Sequence, residues 1–287
     1  MAQSLNEIRG LLKTHGLRPK KRYGQHFLHD ANHMRKIVAA ARVSRDDVVL
    51  EVGPGTGALS EHLLQAGARL VAVEVDRDFE PILADCFDPF GDRTDLLFAD
   101  ILDCKGSINV DVIEVIQKRL KRSSQLTNGS RRTGAFKLVG NLAYNLASPL
   151  LANLALDHPQ MSNAVVTIQR EVADRLLANP GTKAYGPLGI MVGAMCHVER
   201  ISQISPRCFW PMPMVESVVV RLERRDDLLT DDPPALARLV KRLFTKRRKQ
   251  LGRILGSRSA VPADLDPTMR PEQLSIQQLV DLARHLG

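Results

Sequence analysis

An apolar run at residues 138–146, LVGNLAYNL, contains an asparagine followed three positions later by a tyrosine. An amide in such a run needs partners, because an unpaired buried polar group is costly. The Asn141 oxygen and the Leu142 carbonyl could each accept an N–H from an aromatic amine, and so draw its nitrogen toward tetrahedral geometry. Tyr144 could stack on the ring that carries the amine. The pattern predicts a site for the amino group of a base such as adenine. The alternative is a turn-capping asparagine beside a core tyrosine.

A glycine-rich segment, LEVGPGTGAL at 50–59, places Gly53, Gly55 and Gly57 between an apolar run and a helical pattern. Missing side chains let backbone amides approach a ligand there, although a tight strand-to-helix turn would also need glycine. Glu74 ends the next apolar run, where nucleotide-binding α/β folds hold ribose hydroxyls with an acid. Asp100 ends the third run and could accept from an adenine amino group. Each acid alone could be a solvated strand end, but together they predict an adenosine-cofactor crevice.

The spacing of these glycines indicates which cofactor is bound. Dinucleotide folds use G-x-G-x-x-G over a pyrophosphate, whereas this chain has G-x-G-x-G preceded by Glu51. S-adenosylmethionine has a cationic sulfonium and no phosphate, so it tolerates neighbouring acids. Methyl transfer from a sulfonium is an in-line displacement in which positioning supplies most of the acceleration. The sequence therefore favours a methyltransferase over a dehydrogenase.

The elements that must position these residues are apolar blocks alternating with helical patterns. Continuous rather than alternating hydrophobicity predicts strands covered on both faces, at 48–53, 70–75, 96–100, 136–142 and 164–169. Helix candidates between them, such as ALSEHLLQAG and SPLLANLALDH, indicate a doubly wound, mostly parallel α/β sheet. Two later segments, 197–204 and 217–223, suit an antiparallel hairpin at the sheet edge.

The chain divides by composition into three parts. Residues 1–30 form a basic, turn-rich N-terminal segment that includes Arg22, and residues 31–225 form the predicted cofactor domain. A linker, DDLLTDDPP, then leads to a small helical domain at 226–287. The polar segment 123–134 is predicted to be a mobile surface loop, with contact to RNA as the alternative.

Charge indicates a polyanionic partner. The chain has 40 Lys and Arg against 32 Asp and Glu, a net charge of +8. The segment 239–258, LVKRLFTKRRKQLGRILGSR, contains basic residues and no acid, and we expect one helix with its leucines buried. Its basic face could bind RNA phosphates, or could simply be a solvated charged face. The residues predicted to contact RNA are Arg22, Lys246, Arg247, Arg248 and Lys249.

Several classes of protein are disfavoured. No apolar run reaches the roughly 18 residues of a membrane span, and the first residues lack the order of a signal peptide, so we expect a cytoplasmic protein. The four cysteines are too scattered for a C-x-x-C metal site, and no metal is expected. A monomer is the default, because no apolar stripe is left over.

Several motifs together resemble one family, the small-subunit ribosomal RNA adenine N6,N6-dimethyltransferases. The similar stretches run in the family's order through residues 20–255 and are YGQHFLHD, EVGPGTGALS, VEVDRD, GNLAYNLASPLL, QREVADRL, KAYGPLGI and FWPMPMVESVVVRL. F-x-x-R-R-K-x-L also resembles the family's C-terminal domain. Two positions depart from the pattern: His26 stands where bacterial members commonly have asparagine, and Ala143 replaces the usual proline.

The resemblance implies a Rossmann-like class I methyltransferase fold with a small C-terminal all-helical domain. It implies dimethylation of two adjacent adenosines in the terminal hairpin loop of small-subunit RNA, with S-adenosylmethionine as donor and ribosome assembly as the setting. Phe209 would line the base pocket opposite Tyr144, unless it is a buried hairpin aromatic. The implied cofactor contacts are His26, Leu28, Gly53, Gly55, Glu74, Asp100 and Asn141. The alternatives are a large-subunit RNA methyltransferase of the antibiotic-resistance type and a non-catalytic assembly or transcription factor on the same fold.

Overall fold

The computed structural model describes residues 3–45, 47–104, 106–126, 135–256 and 261–286, with the backbone alone for 124–126. Within these residues, seven strands form one sheet: β2 (Val48–Val52), β3 (Arg69–Glu74), β4 (Thr94–Phe98), β5 (Phe136–Asn141), β6 (Met161–Gln169), β7 (Cys196–Ile204) and β9 (Ser217–Arg224). Their order across the sheet is β4-β3-β2-β5-β6-β9-β7. The strands from β4 to β6 are parallel, and β9 and β7 are antiparallel at the far edge.

Successive residues of the central strands contribute to two different cores. Val48 and Leu50 of β2 pack into the cluster on one face of the sheet, whereas Val49 between them packs into the cluster on the other. All three are fully buried, and burying such a side chain contributes about 1.5–3 kcal/mol. This two-sided burial explains why the strand sequences are continuous apolar runs.

Helices cover both faces. One face packs α1 (Leu5–Thr14), α2 (Ala31–Ala41), α3 (Ala58–Gln65) and α4 (Glu80–Phe87). The other packs α5 (Val110–Leu126), α6 (Ala147–Asp157), α7 (Arg170–Leu176) and α8 (Pro187–Met195). The doubly wound sheet and the antiparallel edge hairpin are therefore confirmed. The predicted loop at 123–134 starts too early, since α5 continues to Leu126; residues 127–134 lie outside the described residues.

The N-terminal segment contains structure that the sequence reading missed. Helix α1 begins with a capping box in which Ser4 and Glu7 each accept a backbone N–H from the other. Ile8 and Leu12 are buried in the same core as α2 to α4. Residues 5–14 are thus a packed amphipathic helix, and the expectation of a turn-rich segment is wrong for them. A two-stranded antiparallel sheet of β1 (Phe27–Leu28) and β8 (Phe209–Trp210) was also missed.

The C-terminal part contains α9 (Pro233–Phe244), α10 (Leu251–Leu255) and α11 (Ile276–Leu286). The expected single helix through 239–258 is wrong, because α9 ends at Phe244 and the chain turns before α10. The Thr245 hydroxyl donates to the Arg242 carbonyl, and turns at Lys246 and Lys249 follow. Side-chain hydroxyls that bond nearby carbonyls compete with continued helix geometry. Arg258 lies outside the described residues.

The helices after residue 232 do not form a separate core. Leu236, Leu239 and Leu243 of α9 belong to the same apolar cluster as the sheet and α8. At the contact with α11, a Cβ added to Gly193 would lie 2.7 Å from the Ile276 Cδ1, so a larger residue there would force that side chain to move. None of the described helices is both long and apolar enough to span a membrane.

Candidate active site

A cavity of about 360 Å³ opens at the carboxyl ends of β2, β3 and β5. This edge of a parallel sheet, where the chain reverses its winding direction, is the usual ligand site of α/β folds. Its wall includes every residue that the sequence reading assigned to the cofactor or the base: His26, Leu28, Gly53, Gly55, Glu74, Asp100, Asn141, Leu142, Tyr144 and Phe209. Arg22 also lines it.

The three positions of the loop after β2 that are occupied by glycine differ in why a side chain is disfavoured there. All have positive φ, from 57° at Gly55 to 78° at Gly57. A Cβ on Gly55 would lie 2.9 Å from the Phe27 ring, and one on Gly57 would lie 2.7 Å from the Cys86 sulfur. A Cβ on Gly53 would meet nothing within 4 Å. Packing therefore requires Gly55 and Gly57, whereas Gly53 borders open space in the cavity.

Glu74 is buried at the end of β3 and is fixed by backbone donors. Its two oxygens accept the Gly55 N–H at 3.1 Å and the Asp76 N–H at 3.0 Å. Burial raises the pKa of Glu74, and these hydrogen bonds oppose the rise. The carboxylate thus joins the glycine loop to the turn after β3, and Glu74 is part of the cavity lining.

Asp100 lies two residues after the end of β4, whereas the predicted strand ended at Asp100. Strand β4 ends at Phe98, and the exposed Asp100 follows in a turn where its carboxylate accepts the Leu102 N–H at 3.1 Å. Ala99 and Ile101, which flank this acid in sequence, also line the cavity, as does Val75 after β3. A planar ring with an amino group at its edge fits such a wall.

The charges of the wall suit a cationic adenosine derivative. The cavity is lined by three acids, Glu51, Glu74 and Asp100, and by one arginine, Arg22. Burial raises the pKa of Glu51 to about 8, but Glu74 and Asp100 still outnumber the one arginine. The resulting negative wall would repel a pyrophosphate and attract a sulfonium. The open side of Gly53 leaves room for its backbone to approach the ligand. The residues present therefore fit S-adenosylmethionine better than a dinucleotide.

Asn141 is oriented by one hydrogen bond. Its Nδ2 donates to the His26 carbonyl at 2.8 Å, which directs Oδ1 away from that partner on the cavity wall. His26 in turn donates from Nδ1 to the Pro211 carbonyl at 2.6 Å. Since a carbonyl can only accept, this contact sets the tautomer of the ring. The amide is thus held between two segments far apart in sequence.

Aromatic side chains surround this amide. The rings of Tyr144 and His26 are stacked, with centroids 5.6 Å apart and planes 26° apart. Burial raises the pKa of Tyr144, and a hydrogen bond with Ser217 opposes the rise. Phe209 is buried in β8 and pairs with Leu28 across the small sheet. His26 covers one face of Tyr144, so the ring can offer its other face to a base.

Comparison with known proteins identifies the family. The family model described as ribosomal RNA adenine dimethylase matches residues 16–286. The chain belongs to the ribosomal RNA adenine dimethylase family. The protein named ribosomal RNA small subunit methyltransferase A from Cutibacterium acnes is 36% identical, over 98% of this chain and 93% of its own. The protein of the same name from Mycobacterium tuberculosis is 37% identical, over 98% and 87%.

Solved structures agree on the dimethylase fold. A dimethyladenosine transferase from Plasmodium falciparum superposes with a TM-score of 0.69 at 22% identity, over 89% of this chain and 95% of its own. The 23S rRNA methyltransferase ErmE gives 0.64 at 21%, over 91% and 99%. The predicted family, the Rossmann-like methyltransferase fold, ribosomal RNA adenine dimethylation and S-adenosylmethionine as methyl donor are thereby confirmed. The roles of individual residues remain predictions.

The N-terminal residues 3–28, which we call the roof of the dimethylase cavity, make contacts that were not predicted from the sequence. Lys20 donates to Asp76 at 2.6 Å and to Asp78 at 2.5 Å, and Gln25 donates to Asp76 at 3.0 Å. Gln3 donates to the carbonyl of Thr56 in the glycine loop at 2.9 Å. The N-terminal segment is therefore tied to both cofactor loops. The acid-rich V-E-V-D-R-D stretch was the one sequence feature that hinted at these contacts, since the two partners of each are more than 50 residues apart.

The predicted RNA-contacting residues fall into two groups. Lys246, Arg248 and Lys249 are exposed in the turn between α9 and α10. Arg247 is half-buried, pairs with Glu272, and donates to the carbonyls of Thr182 at 2.9 Å and Lys183 at 3.0 Å. All three guanidinium nitrogens of Arg247 are thus used within the protein, which indicates that it anchors this turn.

We expect Arg247→Ala and Arg248→Ala to separate these roles. Loss of Arg247 leaves Glu272 without its cation and should cost about 2 kcal/mol of unfolding free energy. Loss of the exposed Arg248 should leave stability nearly unchanged and lower the slope of log affinity against log salt by about 1. Thermal denaturation and RNA binding at several salt concentrations measure both. Equal melting temperatures for the two variants would contradict the assignment.

Glu51 is a second buried acid beneath the glycine loop. It accepts a hydrogen bond from the Ser60 hydroxyl at 2.6 Å. Its pKa is raised to about 8, mainly by burial and to a smaller extent by the nearby Glu74. The folded protein therefore keeps a proton that the unfolded chain loses near pH 4.5. Protonation in the folded state makes stability fall as pH rises from about 4.5 to 8.

We expect Glu51→Gln to remove this part of the pH dependence. Between pH 5 and pH 7.5 the wild type should lose roughly 3 kcal/mol of unfolding free energy through this group alone, and the variant should not. Urea denaturation of both proteins across this range tests the difference. Parallel stability curves would show that Glu51 is ionised in the folded protein.

The described residues contain one group with metal-ligand character, Asp30, His33 and Cys208, whose ligand atoms lie within 4.8 Å of one another. Asp30 already caps α2 by accepting the backbone N–H groups of Asn32 and His33. Burial and the adjacent Asp30 raise the pKa of the Cys208 thiol. The expectation that the protein uses no metal remains a prediction.

Proposed function

We propose that this protein dimethylates N6 of two adjacent adenosines in the terminal hairpin loop of small-subunit ribosomal RNA. The observation that carries the proposal is the Asn141 amide, whose Nδ2 is bonded to the His26 carbonyl while Oδ1 stands on the wall of a cavity that Tyr144 and Phe209 share. Family membership supplies the substrate class, and the relatives named ribosomal RNA small subunit methyltransferase A favour the small subunit.

The cofactor half of the cavity would be formed by backbone and acids. Glu74 would hold the ribose hydroxyls and Asp100 the adenine amino group, with Val75 and Ile101 against the ring. Gly53 would let the chain approach the amino-acid tail. Bound S-adenosylmethionine would supply an electrophilic methyl group and a neutral thioether as leaving group. His26 and Leu28, from the roof, would close the site against water.

The base half of the cavity would prepare the amine. The nitrogen lone pair of adenine is delocalised into the ring and is a poor nucleophile. The Asn141 oxygen and the Leu142 carbonyl would accept hydrogen bonds from the amine and localise that lone pair. Tyr144 would stack on the extruded base, with Phe209 on the opposite side. No strong base is required, because the proton is acidic once the nitrogen has been alkylated.

The second methylation requires room for a larger amine. After the first transfer only one N–H is left, so one of the two acceptors must give up its partner. The residue at 143 is alanine, and the Cβ of Ala143 is 3.6 Å from where a Cβ on Gly24 would lie. We propose that the small side chain of Ala143, which lines the cavity beside Tyr144, leaves space for the monomethylated group.

The protein would also bind RNA through a surface outside the cavity. Lys246, Arg248 and Lys249 are exposed cations, and phosphate contacts of this kind position RNA without reading its sequence. Arg22 would bind a phosphate near the target base. We further propose that the protein acts as a monomer on the small subunit in the cytoplasm.

The test is to incubate the protein and labelled S-adenosylmethionine with unmethylated small subunits and, separately, with large-subunit RNA. Label in small subunits alone supports the proposal. Label in large-subunit RNA would instead assign the activity of the resistance-type methyltransferases. Tight binding to small subunits without label would indicate an assembly factor that has lost turnover.

A further inference from the structure

Exposed apolar side chains cluster on one loop, residues 211–216, which joins β8 to β9. Met212 is 64% exposed, Met214 is 100% exposed and Val215 is 42% exposed. In the described part of the chain the other exposed large apolar side chains are Val75, Val110, Leu228 and Leu286, each without another such residue near it in sequence. Contiguous apolar groups in water mark binding surfaces. We call residues 211–216 the methionine loop.

The methionine loop is held at both ends. Pro211 and Pro213 restrict its backbone, and the Pro211 carbonyl accepts from His26 Nδ1 at 2.6 Å. At the other end, Glu216 pairs with Arg170, and its carbonyl accepts the Arg170 N–H at 3.0 Å. The two methionines are therefore presented to solvent by an anchored segment.

Both ends of the methionine loop adjoin residues of the base site. Phe209, just before it, lines the cavity, and Ser217, just after it, is hydrogen-bonded to Tyr144. The two exposed methionines therefore lie on a short loop that is joined at both ends to residues of the base site. Lys21 and Arg22 are exposed, and Arg22 lines the same cavity, so a phosphate backbone arriving here would meet positive charge.

We infer that Met212 and Met214 form an apolar wedge that contacts the RNA bases next to the target adenosine while it is extruded. This inference rests on the proposed function. An extruded base leaves its neighbours without a stacking partner, and apolar side chains inserted between bases can replace it. Thioethers suit this task because they are flexible, polarisable and make favourable contacts with aromatic rings. The occupant is RNA, since the cavity mouth combines apolar contact with positive charge.

The test compares two double variants. Met212→Ser with Met214→Ser removes the apolar contact, and Met212→Leu with Met214→Leu retains it. Leu228→Ser is the matched control, because Leu228 is a 45% exposed apolar residue outside the cavity wall. For each protein, single-turnover methylation of unmethylated small subunits, their binding affinity, and the fluorescence of a stem-loop RNA with 2-aminopurine at the target position are measured.

We expect the serine variant to methylate at least tenfold more slowly and to give a smaller fluorescence rise, with unchanged S-adenosylmethionine affinity and melting temperature. The leucine variant and the Leu228→Ser control should stay within about threefold of wild type. Wild-type rates and affinity in the serine variant would overturn the wedge. So would a wild-type dimer that the serine change converts to a monomer, since a second copy would then cover the loop.

Failure of the proposed function has a different signature. A wild-type protein that does not methylate small subunits would refute the dimethylase activity on that substrate. The wedge would still be decided by subunit affinity: weaker binding by the serine variant than by the leucine variant supports it, and equal binding overturns it.

Discussion

Asn141→Ala is expected to slow methyl transfer by about a hundred- to a thousandfold, as removal of a hydrogen-bonding group aimed at the reacting centre does in other enzymes. The substitution removes the acceptor for the adenine amine and the donor to the His26 carbonyl. We propose that binding of small subunits depends mainly on exposed cations, so it should change by less than about threefold. Single-turnover rates at saturating cofactor, together with subunit affinity, measure the two effects separately.

Two controls make the Asn141 result specific. Asn32→Ala removes an exposed amide on α2 outside the cavity wall and should leave the rate unchanged. Asn141→Asp keeps an oxygen acceptor but replaces the Nδ2 donor that anchors the roof, so an intermediate rate would apportion the two roles. If Asn141→Ala weakens rate, subunit binding and melting temperature together, the residue is structural and the assignment is wrong.

Glu74→Gln is expected to raise the KM for S-adenosylmethionine by about ten- to a hundredfold, the usual worth of a hydrogen bond to a charged group. The amide retains the shape but loses the charge and one acceptor, while Gly55 and Asp76 both need acceptors. The rate at saturating cofactor should fall much less than KM rises. Calorimetric titration of the cofactor and steady-state kinetics at saturating RNA check this split.

The matched control for Glu74 is Glu80→Gln. Glu80 is an exposed acid at the start of α4, and its substitution alters net charge equally without touching the cavity. Wild-type cofactor affinity in Glu74→Gln would mean that the carboxylate serves only to brace the glycine loop. Unchanged affinity in Glu80→Gln and reduced affinity in Glu74→Gln would assign the effect to this site.

The sheet and its site were predictable because local patterns determine them. Residues such as Val48, Val49 and Leu50 are all apolar since both faces of β2 are covered, and that leaves a readable run. Parallel strands then bring their carboxyl ends to one edge, so Gly53, Glu74 and Asn141 had to meet there. Asp100 was misplaced by two residues because strand ends carry little sequence signal.

Contacts between distant segments could not be read from local patterns. Nothing near Lys20 indicates that its ammonium group lies 2.6 Å from Asp76, 56 residues away. The basic stretch after Leu243 is compatible with a continuous helix, and the break at Thr245 accompanies the contacts of Arg247 with the loop at 182–183. Charge alone likewise could not separate Arg247, whose nitrogens bond within the protein, from the exposed Arg248.

The most direct test of the central claim is the identity of the modified nucleoside. Unmethylated small subunits are incubated with the protein and S-adenosylmethionine, and the ribosomal RNA is digested and analysed by mass spectrometry. We predict N6,N6-dimethyladenosine at two adjacent positions of the terminal hairpin loop, and about a hundred- to a thousandfold less of it in the same early time interval with Asn141→Ala. Monomethyladenosine alone, methylation at another atom, or equal product from Asn141→Ala would contradict the account of this site.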